Sequence, residues 1–349
     1  MAGSAVAAKD DSVLPKPSLL VQGLTVLVVA VAIALPFLAP SYYVQFATKV
    51  LLIGLAAMAL NLVVGFGGLV SMCHAAFYGL AGYVLALTTP KYDPASLWLT
   101  LPLAVGTAAL AALAIGALSL RTPGIYFIMV TLAFGEMLYF LFHDTTIGGG
   151  SDGAYIYSKP SVAIGSFVPL NLERANSFYF VVLGVVGLSI LLLRALVQSP
   201  FGHALAAARD NERRARSLGF PVYRLRLTAF TISGALAGVA GYFAAAQYGF
   251  VAPQMLGWHL SAMLLVIVVL GGMRGVTGPL VGAVALLGFE EVLKSVTEYW
   301  KLVEGLVIIV LVFALPGGLR QLASMLLGPR AEAPAAEPAL PAAGEASRA

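Results

Sequence analysis

A chain of 349 residues that is 60% hydrophobic and only 10% charged lacks the ionisable shell of a soluble domain, where about a quarter of residues are charged. Its net charge of +4 fits basic residues gathered in the cytoplasmic loops of a polytopic membrane protein. Without interleaved basic and aromatic residues it excludes nucleic-acid binding. Alternating ten-residue strands are absent, which excludes an outer-membrane barrel, and Cys73 as the one cysteine excludes an internal disulfide and a Cys-based zinc site.

Taken in order, the chain predicts an all-α protein of about ten transmembrane helices. Residues 1–18 form a cytoplasmic N-terminal segment, 19–319 the membrane domain, and 320–349 a cytoplasmic, largely disordered tail of Ala, Pro and Glu. The spans fall near 19–39, 45–64, 68–89, 97–120, 124–142, 177–198, 224–247, 257–273, 277–297 and 302–319. Between 143 and 176 the chain holds only Lys159 and Arg174, whereas 194–226 holds Arg194, Arg209, Arg213, Arg214, Arg216, Arg224 and Arg226. The basic side is expected to be cytoplasmic, and an even span count puts both termini there.

Five glycines interrupt Gly65 to Tyr83, GFGGLVSMCHAAFYGLAGY. Each costs up to about 1 kcal/mol in a helix interior. Two explanations stand. The segment around Gly65, Gly67, Gly68, Ser71 and His74 is unwound beside a translocation path, or the glycines let helices pack closely. Cys73 and His74 do not make a nucleophile and base, since sequence neighbours on a helix diverge by about 100°. Glu136 lies within the fifth span. It is either a functional carboxylate of the path or a hydrogen-bonded interhelical contact. Glu290 and Lys294 can pair at i, i+4. IGGGSDG, 147–153, lacks the Lys-Ser/Thr ending of a phosphate loop and reads as a flexible connector. Gly234 with Gly238, and Gly278 with Gly282, suit close helix contacts. Ala81-Gly82-Tyr83 recurs as Ala240-Gly241-Tyr242, a hint of related halves.

The polar island is Ser199 to Pro221, SPFGHALAAARDNERRARSLGFP. Ser199 is an N-cap candidate with proline at N1. Asp210 or Asn211 can cap a second short helix, and Gly219 suits its C′ position before Pro221. Two capped helices, too brief to span and too polar to insert, read as a docking surface rather than a plain loop.

From Ser199 through GFPVYRLRLTAFTISGALAGVAGYFAA, the chain resembles the coupling segment of bacterial ABC-importer permeases of the branched-chain amino acid type, the LivM family. GFGGLVSMCHAAFYGLAGY, RTPGIYFIMVTLAFGE with the later GGGSDG, and GGMRGVTGPLVGA resemble further signatures of that family. Leu69 and Cys73 depart from the Gln and Gly frequent there. The resemblance implies a type II importer permease fold in the bacterial inner membrane. It implies a second, LivH-type permease subunit, two ATP-binding subunits that bind the ATP, and a periplasmic substrate-binding protein. Arg209, Asp210, Asn211, Glu212, Ala215 and Gly219 would then lie in or beside the ATPase cleft, and the chain itself would bind no cofactor and catalyse no reaction. The expected cargo is a branched-chain amino acid, with urea, short amides or small carboxylates, aromatic ones included, as alternatives. The rival from another class is a stand-alone carrier coupling protons through Glu136.

Overall fold

The computed structural model describes residues 30–90, 93–162, 171–273 and 275–314. The expected N-terminal segment, most of the first span, Arg274 and the C-terminal tail lie outside them. Eleven helices follow residues 30–38, which are themselves helical. They are α1 (Ser41–Asn61), prolonged by a π turn (Leu62–Phe66), α2 (His74–Thr88), α3 (Leu97–Ser119), α4 (Ile125–Asp144), α5 (Ala175–Gln198), α6 (Pro200–Asp210), α7 (Glu212–Ser217), α8 (Val222–Tyr248), α9 (Trp258–Gly271), α10 (Gly278–Val296) and α11 (Trp300–Ala314). A two-residue strand pair, β1 (Ala154–Tyr155) with β2 (Phe250–Val251), is antiparallel.

Among the described residues, six helices are long and apolar enough to cross a membrane: Ser41–Phe66, Leu97–Ser119, Ile125–Asp144, Ala175–Gln198, Val222–Tyr248 and Pro253–Gly271. The expected third span, 68–89, is shorter than predicted, because α2 starts only at His74. The ninth, α10, carries Glu290, Glu291 and Lys294 at its far end.

α2 and α3 lie along α8, while α1 and α8 pack on each other and form the core. Of their most apolar stretches, 89% and 72% are buried, against 22% for α4. Burial on this scale requires small residues, because lipid gives helices no hydrophobic drive to associate and contact must come from close approach. Gly234 lies against Ala112 and Phe77, and Gly238 against Ala108 and Ala81. Gly282 lies against the Ile267 carbonyl and Gly278 against those of Gly271 and Gly272, so both glycine pairs read from the sequence serve close contacts. The two Ala-Gly-Tyr tripeptides meet at the α2–α8 crossing. A Cβ on Gly241 would stand 1.8 Å from the Tyr78 carbonyl oxygen, and one on Gly82 3.6 Å from the Gly241 oxygen.

Residues 147–153 are not the loose connector that the sequence suggested. Gly148, Gly149, Gly150 and Gly153 all take positive φ. The resulting tight turn seats Gly148 on the Tyr83 ring and Gly153 on the Val251 carbonyl, next to the strand pair.

Gly241→Ala is expected to cost about 1–3 kcal/mol through overpacking. Gly184→Ala, where a Cβ meets nothing within 4 Å, is expected to stay within about 0.5 kcal/mol of the parent. Thermal unfolding of the purified variants in detergent measures the difference.

Candidate functional site: the basic corner and the broken end of α1

α6 and α7 form a corner between α5 and α8. Pro200 occupies the first helical position of α6, where its missing N–H is no loss. The Ser199 hydroxyl does not cap α6, contrary to the sequence expectation. It donates to the Leu196 carbonyl at 2.6 Å, satisfying the frayed end of α5 instead. Asn211 does cap α7: its Oδ1 accepts the Arg214 N–H at 2.9 Å. At the other end Gly219 has φ +86°. The Gly219 N–H bonds the Arg216 carbonyl and the Phe220 N–H that of Ala215, the paired closure of a Schellman motif.

The corner has its own small core of Ala208, Ala215 and Val222. Glu212 ties it down. One carboxylate oxygen accepts from Arg216, and the other accepts from Arg226 Nη1 at 2.8 Å. The Arg226 side chain is only 18% exposed and also reaches the Ala208 carbonyl. Arg213, Arg214 and Arg216 face outward, as do Leu218 and Phe220, 69% and 40% exposed. A basic surface with two bare apolar side chains is unsuited to lipid and suited to a protein partner.

Arg209 behaves differently from its neighbours. Its Nε and Nη2 hold Asp210 Oδ1 at 3.0 and 2.9 Å. Its Nη1 turns into the bundle and donates to the Gly65 carbonyl at 2.6 Å. The aliphatic stem lies on Gly68, where a Cβ would stand 2.5 Å from Arg209 Cγ, and Gly68 has φ +69°. The polar island and the glycine-rich stretch, about 140 residues apart in sequence, therefore meet.

The glycine-rich stretch is unwound. After the π turn the backbone leaves the helix, and α2 begins at His74. Two of the freed N–H groups find side-chain partners on other helices. The Met72 N–H donates to Thr131 Oγ1 at 3.2 Å and the Ala75 N–H to Ser261 Oγ at 3.0 Å. Ser71 and His74 are fully buried. The His74 imidazole bonds Ser71 at 3.2 Å through Nδ1 and Ser233 at 2.7 Å through Nε2, and Ser233 donates to the Ala59 carbonyl. Cys73 bonds Ser71 rather than His74, so Cys73 and His74 do not form a nucleophile–base pair. Gly67 is buried and Gly68 exposed. Asn61, which sequence reasoning passed over, donates to the Gly275 carbonyl at 2.9 Å, and a Cβ on Gly65 would strike Met273 O. The turn between α9 and α10 thus sits on the same end of α1. A lone asparagine in an apolar run was the signal for it.

Glu136 lies apart from this cluster. Its Oε1 accepts the backbone N–H of Trp258 at 3.1 Å, so the carboxylate caps the start of α9, where the helix dipole favours it.

A family model for the branched-chain amino acid transport system permease component matches residues 42–312. The chain belongs to that family. The permease is 34% identical over 313 residues to the high-affinity branched-chain amino acid transport system permease protein LivM of Escherichia coli strain K12, covering 84% of this chain and 73% of that protein. It is 34% identical over 308 residues to LivM of Salmonella typhimurium, covering 83% and 72%. Against the autoinducer 2 import system permease protein LsrC of Klebsiella pneumoniae it is 38% identical over 150 residues, 40% of this chain and 43% of that one. No solved structure matches it. It is a multi-pass membrane transport component of an ABC system, not an enzyme.

Asn211→Ala removes a cap worth about 1 kcal/mol. Gly219→Ala forces a Cβ into the left-handed region at a cost of about 1–2 kcal/mol. Each is expected to speed amide hydrogen exchange across Glu212–Ser217 about fivefold or more, measured on the purified permease in detergent.

Proposed function

We propose that the chain is one of two permease subunits of an importer for branched-chain amino acids, and that residues 199–221 dock it onto an ATP-binding subunit. The observation that carries this reading is the corner itself. Two short helices, capped by Asn211 and Gly219 and braced by Glu212, hold Arg213, Arg214, Arg216, Leu218 and Phe220 outward on a rigid base. A loop that only enforced topology needs the arginines but neither the caps nor the brace.

On this reading the corner and both termini are cytoplasmic, and about ten helices span the inner membrane. Arg209, Asp210, Asn211, Glu212, Ala215 and Gly219 form or support the contact with the ATPase. A LivH-type permease completes the conduit, and a periplasmic binding protein delivers the amino acid to the opposite end. ATP is bound by two partner subunits. Closure of the ATPase pair moves the corner, and the flanking α5 and α8 rock the bundle between outward and inward openings. Gly65, Gly67, Gly68, Ser71, His74 and Glu136 mark the regions that the path passes, with Ser71 and His74 acting as buried supports of the unwound turn. A proton-coupled carrier working alone has no comparable support, because its carboxylate, Glu136, is engaged by the Trp258 N–H.

In the assembled importer, the double substitution Arg213→Glu/Arg214→Glu should abolish co-purification of the ATP-binding subunits. Glu212→Ala should lower amino acid uptake per ATP hydrolysed about tenfold, the size of one charge-assisted hydrogen bond. Proteoliposome uptake driven by ATP measures the second effect. Uptake by this chain alone, driven by a pH gradient, would overturn the reading.

A further inference from the structure

The Gly65 carbonyl is an orphan left by the way α1 ends. In the π turn, the Gly67 N–H bonds the Leu62 carbonyl, the Gly68 N–H that of Val64, and the Leu69 N–H that of Val63. No backbone N–H of the described residues bonds Gly65 O. It lies at the negative end of a helix and turn spanning Ser41–Phe66. Such an oxygen calls for a cation. Arg209 Nη1 supplies it at 2.6 Å from the last turn of α6. Fit on both sides confines the link. Gly68 leaves room for the arginine stem, and the other face of Gly65 is closed by Asn61 Oδ1 and Met273 O. The same end of α1 carries the Asn61 bond to Gly275. One guanidinium therefore joins the corner to the unwound turn and, through α1, to the turn between α9 and α10.

We propose that Arg209 is a positioning residue for transport: it does not contact the ATP-binding subunit but transmits displacement of the corner to the inner end of α1 and the unwound turn. The inference rests on the docking reading above and adds the route inside the subunit. Arginine suits it because one planar fork engages Asp210 and Gly65 at once, which fixes the angle as well as the distance.

The test uses the complete importer with its partner subunits in proteoliposomes. In Arg209→Ala, uptake per ATP hydrolysed should fall about tenfold, the size of one charge-assisted hydrogen bond. Arg209→Lys, which keeps a donor but not the fork, should recover part of it. The second readout is the labelling rate of Val70→Cys, in the unwound turn, by a small maleimide; Cys73 is buried and adds little background. With Arg209 present, the rate should differ at least about threefold between nucleotide-free and ATP-trapped importer. In Arg209→Ala the difference should vanish although the ATP-binding subunits still co-purify. Normal uptake per ATP in Arg209→Ala, a preserved labelling difference, or loss of co-purification would each overturn the inference. The Arg213→Glu/Arg214→Glu control separates the two ideas: if it leaves docking intact, the docking reading fails, whatever Arg209 does.

Discussion

A backbone group released from a helix inside a bilayer has no water to turn to, so it must find a partner within the protein. That constraint organises this molecule. Its helices are broken at several places, and those at the end of α1, around the start of α2 and at the start of α9 are met by side chains from distant segments. Arg209 takes the carbonyl of Gly65. Thr131 and Ser261 take the N–H groups of Met72 and Ala75, Asn61 takes the carbonyl of Gly275, and Glu136 takes the N–H of Trp258. Each closure joins two segments, so the breaks that weaken single helices are also the joints between them.

Close packing makes those joints possible. Hydroxyl and amide side chains of one or two heavy atoms beyond Cβ reach a neighbouring backbone only when helix axes lie near one another. Glycine and alanine at the α2–α8 and α3–α8 crossings set that distance. Ser233 illustrates the result. One residue before Gly234, it lies close enough to α1 and α2 to bond both the Ala59 carbonyl and His74. Small residues thereby supply the contact energy that water would otherwise drive, and they bring polar groups within reach.

Much of the architecture was legible in the sequence because it rests on local signals. Apolar runs located the six helices that are long and apolar enough to cross a membrane among the described residues. Proline at position 200 and glycine at 219 located the ends of α6 and α7, and the caps needed only Asn211 and the Gly219-Phe220 step. What the sequence did not reveal depends on the meeting of distant segments. That Ser199 serves α5 and not α6 follows from how the chain turns at residue 199. Arg209 looked like one basic residue among several, yet of the four arginines in residues 199–221 it is the one that bonds the end of α1. Nothing local separates it from Arg213 or Arg214; the difference arises because the end of α1 offers a vacant carbonyl beside it. Asn61 and Arg226 were passed over for the same reason, since their partners lie 214 and 14 residues away. The glycines of 147–153 misled in the opposite direction. Consecutive glycines suggest slackness, but three positive-φ positions in a row and a fourth at Gly153 define a tight turn once the Tyr83 ring and the Val251 carbonyl press against it.

The corner carries a last consequence of the same physics. Six residues of isolated helix have no stability of their own in water. α7 gains it from three sources: a side-chain cap at one end, a left-handed glycine closure at the other, and the Glu212 carboxylate shared between Arg216 and Arg226. Arg226 belongs to α8, so the corner is anchored directly on a core helix, while Arg209 anchors it on the end of another. Two attachments to two different helices resist rotation as well as translation. A corner held in that way is fastened to α1 and α8, the two helices around which the bundle is built.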